Sequence, residues 1–231
     1  TALPLAQKAL AGADDYIDEY ATSQLVWEHP TLSSGNYDDV GARLICLYDI
    51  SGSIDSAEYD VQLKAMAAAV QSQDFRDAIF FHGGPQSLAI CFASYGDQMW
   101  LDIPWLDIRK GENHKFKILA DEVRKLYRRQ YGLTYQVKAL NFAAGVFDNC
   151  PWQSNRHVID ITTDGKDNFG YPDKEAALQE VIGRLAKKYD ATVNALVTTG
   201  PSEADLESWA REHLVTNVAH VKKDGSYLEP G

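Results

Sequence analysis

The apolar run Leu44-Ile45-Cys46-Leu47-Tyr48, followed at once by Asp49-Ile50-Ser51-Gly52-Ser53, constrains the fold of this chain more than any other stretch. A short apolar run bounded by a turn reads as a strand buried on both faces, the kind found in parallel sheets covered by helices. Just downstream, Asp55 is a good N-cap, and Glu58 completes a capping box with it. Tyr59, Leu63, Met66 and Val70 then recur at helical spacing and give the helix a core face. The oxygens of Asp49, Ser51 and Ser53 therefore fall on a strand-to-helix turn. Such turns lie at the carboxyl edge of the sheet, where open α/β folds form ligand crevices.

The remainder of the chain repeats the alternation. Ser87 to Tyr95 reads as a second strand, Gly96-Asp97 as a tight turn, and Met99 to Ile103 as the returning partner of a hairpin. Pro104 suits an edge position because it donates no ladder bond. A long helix follows, with Phe116, Leu119, Val123 and Leu126 on one face. Gly132-Leu133-Thr134 precedes a helical stretch from Tyr135 to Asn149, and Val158 to Thr163 is a buried strand ending in Asp164-Gly165. A helix over 173–188, a strand over 191–197, a short helix over 202–213 and a last strand near 217–221 complete the pattern. This order predicts a doubly wound, mainly parallel six-stranded sheet with one antiparallel edge strand and helices on both faces. Its first strand and its Asp164 strand belong to opposite windings, so Asp49 and Asp164 are expected to meet at the topological switch point. At 231 residues and 45% hydrophobic, the chain is long enough for one such domain, assigned to 41–231. Residues 1–40 form a separate extension: Leu5, Leu10, Tyr16 and Tyr20 suggest an amphipathic helix, broken at Trp27-Glu28-His29-Pro30.

Asp49, Ser51, Ser53, Thr134 and Asp164 make an all-oxygen set. A hard divalent cation takes oxygen ligands, and magnesium keeps several waters in an octahedral shell. Two carboxylates at most neutralise such an ion, so it still attracts an anion. The strand–Asp-x-Ser-x-Ser–helix unit, the later threonine loop and the strand-end Asp164-Gly165, in that order, resemble a von Willebrand factor A (vWA) domain with its metal-ion-dependent adhesion site. The resemblance covers roughly residues 42 to 222. It implies that these five residues hold Mg2+, with Mn2+ or Ca2+ as substitutes, and that a partner protein's Asp or Glu side chain completes the coordination. Each piece also has a plainer use: Ser51, Ser53 and Thr134 as helix caps, Asp164-Gly165 as a turn. Tyr135, Phe169 and Tyr171 either border the site or serve as packing.

Asp160 interrupts an apolar strand and, by alternation, shares a face with Thr162 and Asp164. A buried carboxylate needs a partner, here a hydrogen bond or a place behind the metal. Asp160, Pro104-Trp105 and Asp164-Gly165-Lys166-Asp167-Asn168 are similar to a poorly characterised bacterial vWA subgroup. Asp167 and Asn168 offer oxygens for a second cation, although their spacing matches no calcium loop.

The formal charge of −11 argues against nucleic-acid and anionic-membrane partners, which require a basic footprint. No stretch is apolar enough to span a membrane and no signal peptide is present; a secreted or periplasmic setting is the expectation, with a cytoplasmic one as the alternative. Cys46 and Cys91 fall on buried strands, Cys150 on a more exposed segment, and three cysteines imply no disulfide scaffold. The chain carries no Gly-x-Ser-x-Gly elbow, phosphate-cradling loop or metalloprotease His pair. The expected function is a non-enzymatic, cation-dependent protein-binding module. Two alternatives stand beside it. One is an adaptor subunit working with an ATPase. The other is a magnesium-dependent phosphoryl-transfer enzyme with Asp49 as nucleophile.

Overall fold

The computed structural model describes residues 39–80, 85–129, 132–168, 170, 173–198 and 205–216. In chain order these hold β1 (Ala42–Asp49), α1 (Ser56–Gln71), α2 (Gln73–Phe80), β2 (Ser87–Tyr95), β3 (Met99–Arg109), α3 (Asn113–Val123), α4 (Gln136–Asp148), β4 (His157–Thr163), α5 (Lys174–Tyr189), β5 (Ala191–Val197) and α6 (Leu206–His213). The strands form one five-stranded sheet in the order β3-β2-β1-β4-β5. β1 runs parallel to both β2 and β4, β4 runs parallel to β5, and β2 and β3 are antiparallel. Among the described residues the sheet thus has five strands rather than the expected six. The strand expected near 217–221 and the helix expected within residues 1–40 lie outside the described residues.

Both faces of the sheet are covered, which is why β1 reads as an unbroken apolar run. Leu44 and Tyr48 face one core, with Ile90, Phe92 and Ile103, under Tyr59, Leu63, Ala67 and Val70 of α1 and Phe116, Leu119 and Val123 of α3. Ile45 and Leu47 face the other, with Ala93, Ile159 and Ile161, beneath Leu140 and Phe147 of α4, Leu178, Val181 and Leu185 of α5, and Trp209 of α6. The core of a doubly wound fold is therefore split by its sheet, and β1 is the strand that both halves share.

Several expectations are corrected in detail. Ala67, not Met66, occupies the third core position of α1; Met66 is half-buried at the margin of the same cluster. Helix α2 was not anticipated; it buries no residue fully, but Phe75, Ile79 and Phe80 pack at the margin of the first core. β3 continues past Pro104 to Arg109. The proline is tolerated because β3 is the sheet's edge and its register with β2 shifts between Ile90 and Phe92, opposite Pro104. Leu126 lies beyond the end of α3 yet still packs on that core. Cys150 is buried at the end of α4, not exposed, and burial pushes its thiol up to about 11.

Candidate functional site

β1 and β4 lie side by side and parallel, with Leu47 opposite Ile161, so their carboxyl ends open at the same edge. The chain leaves β1 toward α1 on one side and enters the loop after β4 on the other. This is the switch point expected from the sequence.

The turn after β1 is organised around Asp49, which is fully buried. Its Oδ1 accepts from the Ser51 amide at 2.7 Å, and its Oδ2 lies 3.4 Å from the Thr163 hydroxyl that donates toward it. The Asp49 amide donates to Thr162 Oγ1 at 3.1 Å, and its carbonyl accepts from Gln62 Nε2 at 3.0 Å. Burial pushes the Asp49 carboxyl up to about 7; the Ser51 amide and hydroxyl oppose that rise, while Asp164 adds to it. From Asp49 the oxygens continue outward. Ser51 Oγ is 3.1 Å from Ser53 Oγ, and Ser53 Oγ donates to Asp164 Oδ1 at 2.9 Å. Asp49, Ser51, Ser53 and Asp164 therefore form one hydrogen-bonded chain from the buried sheet edge to the surface.

The plainer use of the serines as helix caps is filled by another residue. Asp55 caps α1, its Oδ1 accepting from the amides of Ala57 at 2.7 Å and Glu58 at 2.8 Å, while Glu58 Oε2 accepts from the Asp55 amide at 2.8 Å. This is the capping box anticipated from the sequence. The oxygens of Ser51 and Ser53 are not used for that purpose.

Thr134 reaches the same edge from the segment between α3 and α4. It is buried, and a methyl group built on Gly165 would stand 3.9 Å from its hydroxyl oxygen. Tyr135 is the N-cap residue of α4 and makes no side-chain cap. The helix is instead capped from the loop after β4: Asp167 Oδ2 accepts from the Val137 amide at 2.9 Å, and Asn168 Oδ1 accepts from the Thr134 amide at 2.8 Å. The Asn168 amide returns a bond to the Thr134 carbonyl at 3.1 Å. Asp167 and Asn168 thus spend their oxygens on the threonine loop, which accounts for that polar run without a second cation. Among the described residues, the hydroxyl of Thr134 has no hydrogen-bond partner.

Two backbone junctions lock the loops together. The Gly52 amide donates to the Gly132 carbonyl at 2.8 Å, and the Leu133 amide donates to Asp97 Oδ1 at 2.6 Å. A methyl group on Gly132 would sit 2.1 Å from Asp97 Cγ, so a larger residue there would displace the carboxylate that accepts from Leu133. Gln136 Nε2 joins Thr163 Oγ1 and the Gly165 carbonyl, both at 2.9 Å. Sequence reasoning missed Arg128, Gln62 and Gln136, and it named Gly132, Thr162 and Thr163 without assigning them to the site; no local spacing links these positions across the elements that carry them. The Asp164-Gly165-Lys166-Asp167-Asn168 run was a visible signal, but of loop bracing.

Tyr135 is packing: it is buried in the α4 core, with the Lys138 ammonium 5.1 Å from its ring centre. Phe169 and Tyr171 lie outside the described residues. Asp160 is held by Asn194 of β5, whose Nδ2 donates to Asp160 Oδ1 at 2.7 Å, and burial raises its carboxyl. It pairs across the sheet with Cys46, three positions short of the Asp49 end of β1.

The candidate donors are two carboxylates and three hydroxyls, an all-oxygen composition of the kind hard divalent cations take. Among the described residues, no cluster of three or more His, Cys, Asp or Glu side chains is placed to hold a metal. Any ion at this edge would depend on the hydroxyls.

A family model described as a protein of unknown function, DUF1194, matches residues 39–223, and the chain belongs to that family. No curated protein matches it. Among solved structures, a mutant of the PilB minor pilin from Streptococcus sanguinis is similar at 11% identity over 75% of this chain and 54% of that one, with a TM-score of 0.52. Proximal thread matrix protein 1 of the mussel byssus, with a zinc-occupied MIDAS motif, aligns at 17% identity over 76% of this chain and 48% of that one, TM-score 0.48. The vWF domain of the type V pili tip protein Mfa5 from Porphyromonas gingivalis aligns at 16% identity over 57% and 40%, TM-score 0.37. The chain spans about half of each of these proteins or less. The likeness is one of fold.

Proposed function

We propose that this DUF1194 protein is a divalent-cation-dependent protein-binding module. In this reading Asp49, Ser51, Ser53, Thr134 and Asp164 hold the ion, and an Asp or Glu of a partner protein binds through it. The observation that supports it best is the continuous chain of oxygens from Asp49 through Ser51 and Ser53 to Asp164, at the point where two windings of the sheet diverge. The residues fit such an ion: their formal charge is at most −2, three donors are neutral hydroxyls, and the Thr134 hydroxyl is uncommitted among the described residues. When bound, Mg2+ would supply an electropositive point that takes up one further anionic oxygen.

The chain's own residues set the character of that point. Asp49 is fixed on the Ser51 amide and buried, so its geometry does not relax when solvent changes. Ser53 and Asp164 lie at the surface end, where a partner's carboxylate would approach. Among the described residues, Asp49 bonds directly to an amide and to hydroxyls, and the acid near it, Asp164, is itself one of the proposed ligands. That favours gripping over phosphoryl transfer.

The proposal assigns the module to residues 41–231 and treats 1–40 as an extension. No helix among the described residues is long and apolar enough to cross a membrane. A secreted or periplasmic setting belongs to the same proposal, a minor pilin being one protein of this fold. Calorimetric titration of chelator-stripped protein with Mg2+, Mn2+ and Ca2+, beside an Asp49→Ala, Ser51→Ala double variant, tests it. Saturable binding near one ion per chain, lost in the variant, is the expected result. Equal binding by both proteins would move the ion elsewhere, and retention of partners that survives a chelator would remove the cation from the mechanism.

A further inference from the structure

Arg128 stands behind the metal loop, outside the set of candidate ligands. It follows the end of α3, and its Nε donates to the Ile50 carbonyl at 3.3 Å while its Nη2 donates to the Ser51 carbonyl. These two carbonyls belong to the peptide groups on either side of Ser51. The opposite end of each peptide is also held. The amide of the first donates to Asp49 Oδ1 at 2.7 Å, and the amide of the second, on Gly52, donates to the Gly132 carbonyl at 2.8 Å. Both peptide planes that carry Ser51 are therefore pinned at both ends, and one guanidinium supplies two of the four attachments.

The chain beside it is anchored. Its neighbour Arg129 forms an ion pair with Asp102 at 2.9 Å, and Asp102 also accepts from Tyr48 Oη at 2.7 Å, one residue before Asp49. Consecutive arginines thus grip the end of β1 and the loop that leaves it. Only a planar fork with several fixed donors spans two successive carbonyls in this way; an ammonium has no such geometry.

Resting on the cation reading above, we propose that Arg128 is the positioning residue of the metal loop, fixing the Ser51 hydroxyl so that the site favours Mg2+ over Ca2+. Magnesium demands a near-ideal octahedron at short distance, whereas calcium accepts variable coordination, so loosening Ser51 weakens the smaller ion more. Groups that orient ligands without touching the metal typically govern affinity by 10- to 100-fold.

The test titrates Arg128→Met and Arg128→Lys with Mg2+ and with Ca2+ by calorimetry, with Lys117→Met, on an exposed surface, as control. Arg128→Met is expected to weaken Mg2+ by roughly 10- to 100-fold and Ca2+ by distinctly less, with Arg128→Lys between it and the wild type. Unchanged Mg2+ affinity in Arg128→Met, or equal losses for both ions, overturns the inference. Amide exchange of cation-free protein separates it from the cation reading. Faster exchange at Ser51 and Gly52 in both variants supports the bracing, and wild-type protection at both amides overturns it. Arg128→Lys carries the same readouts if the methionine variant does not fold. A wild type that binds no cation refutes the cation reading and the ion preference with it, while exchange still decides whether Arg128 braces the loop.

Discussion

Replacing Asp49 with asparagine should make the cation-free protein more stable at alkaline pH while abolishing its response to magnesium. The carboxyl is fully buried and pushed up to about 7, against an ordinary value of 3.8. That gap, at about 1.4 kcal/mol for each tenfold change, corresponds to about 4 kcal/mol. The sign follows from its direction. A carboxyl whose folded value is raised contributes stability that is present below the unfolded value and is lost as pH rises through the folded one. In chelator, the wild type should therefore fall relative to Asp49→Asn by about 4 kcal/mol between pH 4 and pH 8. Asparagine keeps an oxygen for the Ser51 amide and places its NH2 toward the Thr163 hydroxyl, so the loop geometry survives. Urea midpoints at pH 4, 5, 6, 7 and 8, with chelator and then with excess Mg2+, measure the effect. Taking the difference between the two proteins cancels other raised carboxyls such as Asp102 and Asp160. At a hundred times its dissociation constant, the ion should restore about 2.7 kcal/mol to the wild type and nothing to the variant. Parallel pH profiles in chelator would refute the burial argument, and equal stabilisation of both proteins by Mg2+ would refute the role of Asp49 in holding it.

Asp55→Ala removes both cap bonds of α1 and should cost about 1 kcal/mol in urea unfolding without altering cation stoichiometry. Arg129→Met leaves Asp102 buried without its guanidinium and should cost about 3–5 kcal/mol near neutral pH. Because burial already raises the Asp102 carboxyl, part of that loss should be regained as pH falls and the acid protonates, which denaturation at pH 5 and pH 8 would reveal. Gly41→Ala drives a methyl group to 2.1 Å from the Pro85 carbonyl oxygen, a backbone atom, and should lower the thermal midpoint by many degrees.

What the sequence disclosed is what local chemistry encodes. The Asp55–Glu58 box, the continuous apolar β2 and the alternation of elements each follow from neighbours a few positions apart, and they carry the topology with them. Asp49 and Asp164 became candidates because two strand ends were recognisable and the winding rule brings such ends together. The bracing was not legible in that way. Arg128 finds the carbonyl of Ser51 across 77 positions, and Gln62 finds Thr162 across 100, pairings that no spacing announces. Elsewhere a local signal was overruled by its surroundings. The returning strand reads only from Met99 to Ile103, yet the edge position that suits Pro104, with a shifted register, lets β3 run on to Arg109. Cys150 follows a helix end and precedes a proline, yet the core around Trp152 closes over it.

The bond between Ser53 and Asp164 joins positions 111 residues apart in the chain. An ion shared across that junction would act as a removable cross-link, closing a loop of roughly half the protein. Loop-closure entropy grows only slowly with length, so the advantage would come less from the size of the loop than from its timing. The two shores of the junction meet only when β4 is docked beside β1. Occupancy would then report that this pairing has formed, and a chain still awaiting β4 would have nothing with which to hold its partner.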